Sequence, residues 1–363
     1  MKKVGKEVLF LAPGENNPRN GEDAFIRLKD GRILHVYTRF NGDDWHDEAC
    51  ADIAVQYSCD EGETWSRESI LVRHTDYARS TMCPSLLRFA NGDLGLIYLR
   101  KIDASLCSVV ELIRSCDEGE TWSEPVQIIP EQEYYVIEND HVRMLSDGRI
   151  ILPLNLHSLP GFMGGIKQTT MHGKMLFAAS DDDGATWYQL SDVYDLPYPE
   201  ISQTGLQETI LYEKKDGTLR AFSRTDLLCQ YESVSTDRGA TWTTPRPNTF
   251  FTSPTSPLNL KKIHTGALVA VFNPTPVYTA RPECVGGGKD NWGRTPFVIA
   301  LSFDDGDTYS KIYYIEDDLT NGYCYPSIFD GGDYLLIGYY HSNGTGIPLN
   351  SNKVVKIYYD ELD

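Results

Sequence analysis

The stretch Ser58-Cys59-Asp60-Glu61-Gly62-Glu63-Thr64-Trp65 decides the fold, because the chain writes its pattern five times. It returns as Ser115 to Trp122, as Ser180-Asp181-Asp182-Asp183-Gly184-Ala185-Thr186-Trp187, as Ser235-Thr236-Asp237-Arg238-Gly239-Ala240-Thr241-Trp242 and as Ser302-Phe303-Asp304-Asp305-Gly306-Asp307-Thr308-Tyr309. Successive starts lie 57, 65, 55 and 67 residues apart. The shared pattern, S-x-D-x-G-x-T-[WY], reads as a hairpin turn. The Asp oxygens accept turn amides, the Gly supplies a positive φ, and the aromatic ring packs back between strands. Self-similarity at such a period marks a repeat architecture.

Between the boxes lies a second repeating unit, an apolar strand, a Gly-containing turn and another apolar strand. Its copies span 24–40, 84–101, 140–158, 208–224, 256–273 and 326–342. Apolar runs around D-G or N-G turns are the hairpin signal, and no segment sustains a helical period. Six hairpins predict six blades of four strands, with the box turn joining strands three and four. The last copy lacks a box; its third strand is expected over 353–358 and its fourth from the amino-terminal 7–11. Closure by the chain's own terminus would remove an open edge. The expectation is an all-β, six-bladed propeller, one domain over residues 1–363, closed by its N-terminal strand. Ser180 to Asp183 has the acids of a calcium loop, but no Glu follows at the twelfth position, so neither metal nor cofactor is assigned.

Composition agrees with a globular chain: 41% of residues are hydrophobic, enough for a core, which excludes disorder as the main reading. Against 33 basic side chains stand 52 acidic ones, a net charge of −19 that repels phosphate backbones and anionic membrane surfaces. Nucleic acid and membrane are therefore not expected partners. The eight cysteines show no C-x-x-C spacing, which suits a reducing compartment. The amino-terminal apolar run is broken by Glu7 and ended by Pro13, too short for a secretory segment or a membrane span, so a cytoplasmic location is expected. Nothing in the sequence reports on oligomeric state.

In a propeller the inner strands converge on the axis, so the facing ends of the six hairpins line a central funnel. Those ends carry Glu22 with Arg39, Cys83 with Arg100 and Lys101, Asp140 with His157, Glu208 with Arg224, Ser256 with Asn273, and Tyr325 with His341. Two long connections face the same funnel, 157–173 and 273–294, and loops of that length serve as lids or subsites. Phe162, Met163, Tyr278 and Trp292 offer apolar faces for a ligand's rings, and Gly286 to Gly288 would let one loop move.

With these residues in place, the chain resembles the Asp-box (BNR-repeat) exo-sialidases, six-bladed propellers that remove terminal sialic acid with retention. In that family a Glu opens the inner strand of the fourth blade and an Arg follows some fifteen residues on, which Glu208 and Arg224 match. An Arg precedes the strand leading into the last box, matched by Arg294. The tyrosine nucleophile opens the strand after that box, and Tyr325-Pro-Ser-Ile328 resembles the family's Tyr-x-x-Leu, with Tyr323 the weaker fit. The acid/base aspartate lies on a loop after the first hairpin. Of Asp43, Asp44 and Asp47, Asp47 aligns best, and Trp45 and His46 beside it would form an aglycone wall.

The resemblance implies a chemistry with a physical rationale. A sialosyl centre carries its own carboxylate, so a carboxylate nucleophile would be repelled, whereas a phenol hydrogen-bonded to a Glu base attacks as a nearly neutral group. Arginine forks hold the substrate carboxylate bidentately. Two positions depart from the family pattern. Gly21 stands where the family has its first clamp arginine, and His341 where it has the Glu that holds that arginine. Arg19, Arg39 and Arg100 are the candidates for the third clamp member, and Glu22, Asp140, His157 and His341 for further substrate contacts. The reading is an exo-glycosidase acting on an oligosaccharide or glycoconjugate. Its terminal sugar would be sialic acid, a related keto-acid sugar or a uronate. The alternatives are a uronate-specific lyase using His157 and His341, and a non-catalytic glycan-binding propeller.

Overall fold

Each hairpin read from the sequence becomes the two inner strands of a sheet in the computed structural model. The structure describes all residues except 77, 104–106, 132, 158–171, 199, 277–291 and 343–348. The pairs are Asn20–Arg27 with Ile33–Phe40, Ser80–Arg88 with Leu94–Asp103, Arg143–Met144 with Ile150–His157, Gln207–Glu213 with Leu219–Arg224, Asn259–Lys262 with Leu268–Phe272, and Tyr323–Asp330 with Tyr334–His341. All pair antiparallel. The fold is an all-β propeller, and among the described residues its one named helical element is the short 3₁₀ turn Tyr359–Leu362. No described helix is long and apolar enough to cross a membrane.

The expected six separate four-stranded sheets are corrected by the hydrogen bonding. Four sheets stand alone with four or five strands, while the hairpins at 24–40 and 84–101 share one eight-stranded sheet. The junction is a single parallel pair, Ala51 with Ser80, formed where a third strand meets the next inner strand. The last sheet runs Tyr323–Asp330, Tyr334–His341, Ser351–Tyr358, Lys6–Leu11, so the amino-terminal strand closes it as expected.

The boxes behave as turn chemistry requires. In all five, the Ser hydroxyl donates to the Asp and accepts the Gly N–H, while the Asp accepts both the N–H and the hydroxyl of the Thr. Gly62 needs its freedom, with φ +83 and a neighbouring Leu336 methyl only 2.9 Å from where a Cβ would stand. Three box acids also clasp the hairpin turn of the preceding repeat. Glu118 accepts the Lys29 N–H, Asp183 those of Ala90 and Asn91, and Asp305 that of Lys215. Apolar clusters fill the space between adjacent sheets, as where Val269, Val271 and Ile299 meet Ile328, Ile337 and Val355. The seven described cysteines are free thiols.

Candidate active site

At the axis, the inner strands begin with a shared distortion. Pairing register slips between Gly21 and Asp23, Met82 and Ser85, Gln207 and Ile210, and Cys324 and Ser327. Inside those slips Glu22, Cys83, Glu208 and Tyr325 take φ of 51, 55, 45 and 57°, and Asp140 takes 54° at the equivalent place. These are left-handed backbone positions that non-glycine residues rarely adopt. A bulge bends its strand and re-aims one side chain. Here it turns successive side chains toward the axis, and each such conformation costs on the order of 1–3 kcal/mol, the kind of strain that concentrates at functional sites.

The result is a compact constellation. The Tyr325 hydroxyl donates to Glu208 Oε1 at 2.7 Å, and Arg224 Nη1 reaches the same oxygen at 2.5 Å and the phenol oxygen at 3.2 Å. Glu208 Oε2 and Arg224 Nε are buried without a partner among the described residues. Arg294 lies 5.4 Å from the centre of the Tyr325 ring and 5.3 Å from that of Trp292; it donates to Thr255 O and Cys324 Sγ, both at 3.1 Å. Burial, reinforced by the Glu208 charge and only partly offset by Arg224 and Arg294, pushes the Tyr325 phenol well above its ordinary pKa. Tyr325 is therefore a neutral donor at rest.

Facing this group, Arg19 Nη1 donates to Asp47 Oδ1 at 2.5 Å and to Trp45 O at 3.3 Å, and Lys101 Nζ donates to Asp47 O at 2.7 Å. Enclosure by the funnel walls would by itself raise the Asp47 pKa, although more than half of the side chain stays open to solvent; the charges of Arg19 and Lys101 outweigh that effect and hold the carboxyl well below the usual range. A cavity of about 220 Å³ joins the two halves; Tyr325, Arg294, Arg19, Asp47, Trp45 and Trp292 are among its walls. Trp45 and His46 stack at 4.2 Å along one side.

Thus Tyr325, Glu208, Asp47, Arg224, Arg294 and Arg19 converge, and Trp45, His46 and Trp292 join them. Glu22 lies just behind, 3.7 Å from Arg19 Nη2, accepting from Thr38 Oγ1 at 3.1 Å and Cys83 Sγ at 3.4 Å. Five other expectations are corrected. Arg39 turns away to Glu68 and Asn41, and Arg100 to Glu111 and the Tyr98 hydroxyl. Side chains alternate along a strand, so Thr38 and Lys101, one residue away, face the axis instead. Asp140 is spent inside the channel on Lys261, Asn259 and the Ile328 N–H. His157 packs edge-on to Tyr134, and His341 sits between Phe10 and Tyr323, where burial lowers its pKa. Tyr323 is buried with its hydroxyl on Asp318 O. Asp44 pairs with His46. Phe162, Met163, Tyr278 and Gly286 to Gly288 lie outside the described residues.

Two participants escaped sequence reading. Tyr340 carries Arg19 over its ring at 4.6 Å. Glu138 is a buried carboxyl, 4% exposed. Burial first, then the charges of Glu208 and Glu22, raise its pKa well above normal. The only sequence sign of Glu138 was an acid two residues before Asp140 at the mouth of its strand.

Comparison with known proteins follows this geometry. Residues 40–341 match the family described as BNR repeat-like domain. No curated protein matches the sequence. Among solved structures, a protein of unknown function from Dyadobacter fermentans is similar with a TM-score of 0.71 and 17% identity, over 97% of this chain and 99% of that one. The NanB sialidase of Streptococcus pneumoniae is similar at 0.71 and 14%, over 99% of this chain and 71% of that one. The intramolecular trans-sialidase of Ruminococcus gnavus, in complex with oseltamivir carboxylate, is similar at 0.69 and 16%, over 99% and 98%. At these identities the likeness shows the propeller fold alone. With five turn boxes on that propeller and a family match over most of its length, the chain belongs to the BNR repeat-like family.

Proposed function

We propose that this protein is a retaining exo-glycosidase that removes a terminal carboxylate-bearing sugar, sialic acid foremost, from an oligosaccharide or glycoconjugate. One observation carries the reading: a phenol donating to a buried glutamate at 2.7 Å, with an arginine on both oxygens, beside a cavity lined by two further arginines. The Tyr325 oxygen attacks the anomeric carbon as its proton passes to Glu208, while the glycosidic bond breaks and the leaving oxygen takes a proton from Asp47. Water then attacks the tyrosyl intermediate with Asp47 as base, and the phenol recovers its proton from Glu208.

Arg224, Arg294 and Arg19 form the carboxylate clamp, so Arg19 takes the place sought for the third member. Asp47 occupies the Arg19 fork in the free protein. A substrate carboxylate arriving on that fork displaces Asp47, relieves it of a neighbouring positive charge and lets it take up the proton that it must donate. The elimination alternative loses its main support, because neither His157 nor His341 lines the cavity. The eight-stranded sheet is read as two blades sharing one bridge, which makes residues 1–363 a single six-bladed unit.

The test is hydrolysis of a fluorogenic α-sialoside, with aryl uronides and neutral aryl glycosides beside it. Tyr325→Phe and Glu208→Gln should each lower turnover by more than about a hundredfold with the fold intact. Folded wild type that cleaves no acidic glycoside would refute the proposal.

A further inference from the structure

The inner strands carry chemistry at both ends. From Glu208 the strand Gln207–Glu213 runs five residues, about 16 Å, to the opposite end of the channel. There a second cavity of about 360 Å³ opens between three consecutive inner hairpins. That volume is larger than the cavity beside Tyr325 and equivalent to about a dozen waters. Its charged walls are Arg143, Lys214, Lys215, Lys261 and Lys262 against the single acid Glu213. In a chain of net charge −19, five cations gather around one hollow, where Glu213 and the paired Asp140, Asp305 and Asp307 supply four opposing charges, so a positive excess remains.

Part of that charge is already matched. Lys261 meets Asp140 at 2.8 Å, Lys214 meets Asp307 at 2.6 Å and Lys262 meets Asp305 at 2.7 Å. Glu213 is occupied by the Ser146 N–H and hydroxyl. Arg143 is different: among the described residues its guanidinium donates to neutral acceptors, the carbonyls of Asp140, Val142 and Leu260 and the amide oxygen of Asn259, at 2.6–2.9 Å. Its Nε is buried with no acceptor among the described residues. Lys215 is exposed at the rim and, among the described residues, is in no ion pair. Burial pushes Arg143 and Lys261 below their ordinary pKa values, and the Arg143 charge lowers Lys261 further. The Asp140 carboxylate offsets part of the charge on both, and an incoming anion would relieve the rest.

We propose that this basin is a second binding site, separate from the glycosidase centre, for a small doubly charged oxyanion: a phosphate group, free or carried on a sugar. Oxyanions match the donors on offer, the exposed Lys215 ammonium and the Lys214 and Lys262 ammoniums, which each meet a carboxylate on one side and keep further N–H groups. The volume leaves room for a sugar ring beside the phosphate.

The experiment is isothermal calorimetry and thermal unfolding of the full chain with inorganic phosphate, with glucose 6-phosphate, and with chloride at matched ionic strength. Saturable binding of a phosphate, with a Tm rise of about 1–4 °C that chloride does not produce, is expected. Lys215→Glu, on an exposed turn, should weaken that binding at least about tenfold, while the distant Lys6→Glu leaves it unchanged. Tighter binding of glucose 6-phosphate than of inorganic phosphate assigns the sugar-borne form, and the reverse assigns the free ion. An absence of saturable binding, or an equal effect in Lys215→Glu and Lys6→Glu, overturns the proposal. Glycosidase activity plays no part in these readouts, so the two proposals stand or fall separately.

Discussion

Gly21 shows how one residue sets the site. A Cβ there would stand 1.9 Å from the Tyr340 ring, so no arginine fits at the position where the resemblance asks for one. The same ring takes Arg19 onto its face at 4.6 Å, with Phe40 on the other side at 4.7 Å. The cation thus enters from two residues away, held by π faces and by Asp47. The pairing sets the expected pH dependence. In the proposed mechanism Asp47 must be protonated to serve as acid, and its pKa is depressed by Arg19 and Lys101, so kcat/KM should decline as pH rises above that low value. Arg19→Gln removes one of those charges, so the Asp47 pKa rises and the alkaline limb moves to higher pH, while kcat/KM falls overall through loss of a clamp arginine. A pH–rate profile checks both; an unmoved limb would separate Asp47 from Arg19. The Asp47 side chain keeps 59% of its surface open, so salt should narrow the difference between the two profiles.

At the scale of the element, two devices recur: the bulge that begins an inner strand and the box that turns an outer one. The bulge explains which hairpin-end residues were legible. Glu22, Glu208 and Tyr325 were found because they occupy the start of each hairpin, and the left-handed backbone delivers them to the axis. On the second strands a one-residue error reverses the face, which is why Arg39, Arg100 and His341 gave way to Thr38, Lys101 and Tyr340. The box aspartates Asp60, Asp117, Asp182, Asp237 and Asp304 all have lowered pKa values, with bonds from the box threonines a leading cause, and Asp182 and Asp304 fall to about 2. A carboxylate depressed in the folded state contributes stability above its unfolded pKa, and that contribution is lost as pH falls through the folded value. Tm should therefore drop between about pH 4 and pH 2. Asp237→Asn, which cannot accept in the same way, should start from a lower Tm at neutral pH and flatten that acid slope; scanning calorimetry across pH reads both.

The whole molecule is held by closure. Lys6–Leu11 pairs with Ser351–Tyr358, and residues 2–4 reach the neighbouring sheet, where the Val4 N–H donates to Tyr314 O and the Tyr314 N–H to Lys2 O. Deeper in, Asp23 accepts from Ser327 at 2.5 Å and Asn352 at 3.1 Å and meets His35 at 3.0 Å, joining the first hairpin to the last. Deleting residues 1–11 should expose the edge of Ser351–Tyr358, lower Tm by more than about 5 °C and promote aggregation. A truncated chain with wild-type Tm and monodispersity by light scattering would show that closure contributes little.

The sequence by itself determined the propeller, since repeated turns and alternating apolar strands are local signals that each repeat restates. It also carried Tyr325, Glu208, Arg224, Arg294 and Asp47 as expectations, because those positions follow from strand starts and loop order. Only the tertiary structure decided that Arg19 completes the constellation over Tyr340, that Lys101 rather than Arg100 faces it, and that Asp140 is consumed by Lys261. These outcomes depend on which face a strand presents and on contacts between residues as far apart as Gly21 and Tyr340, and neither is encoded in any local pattern.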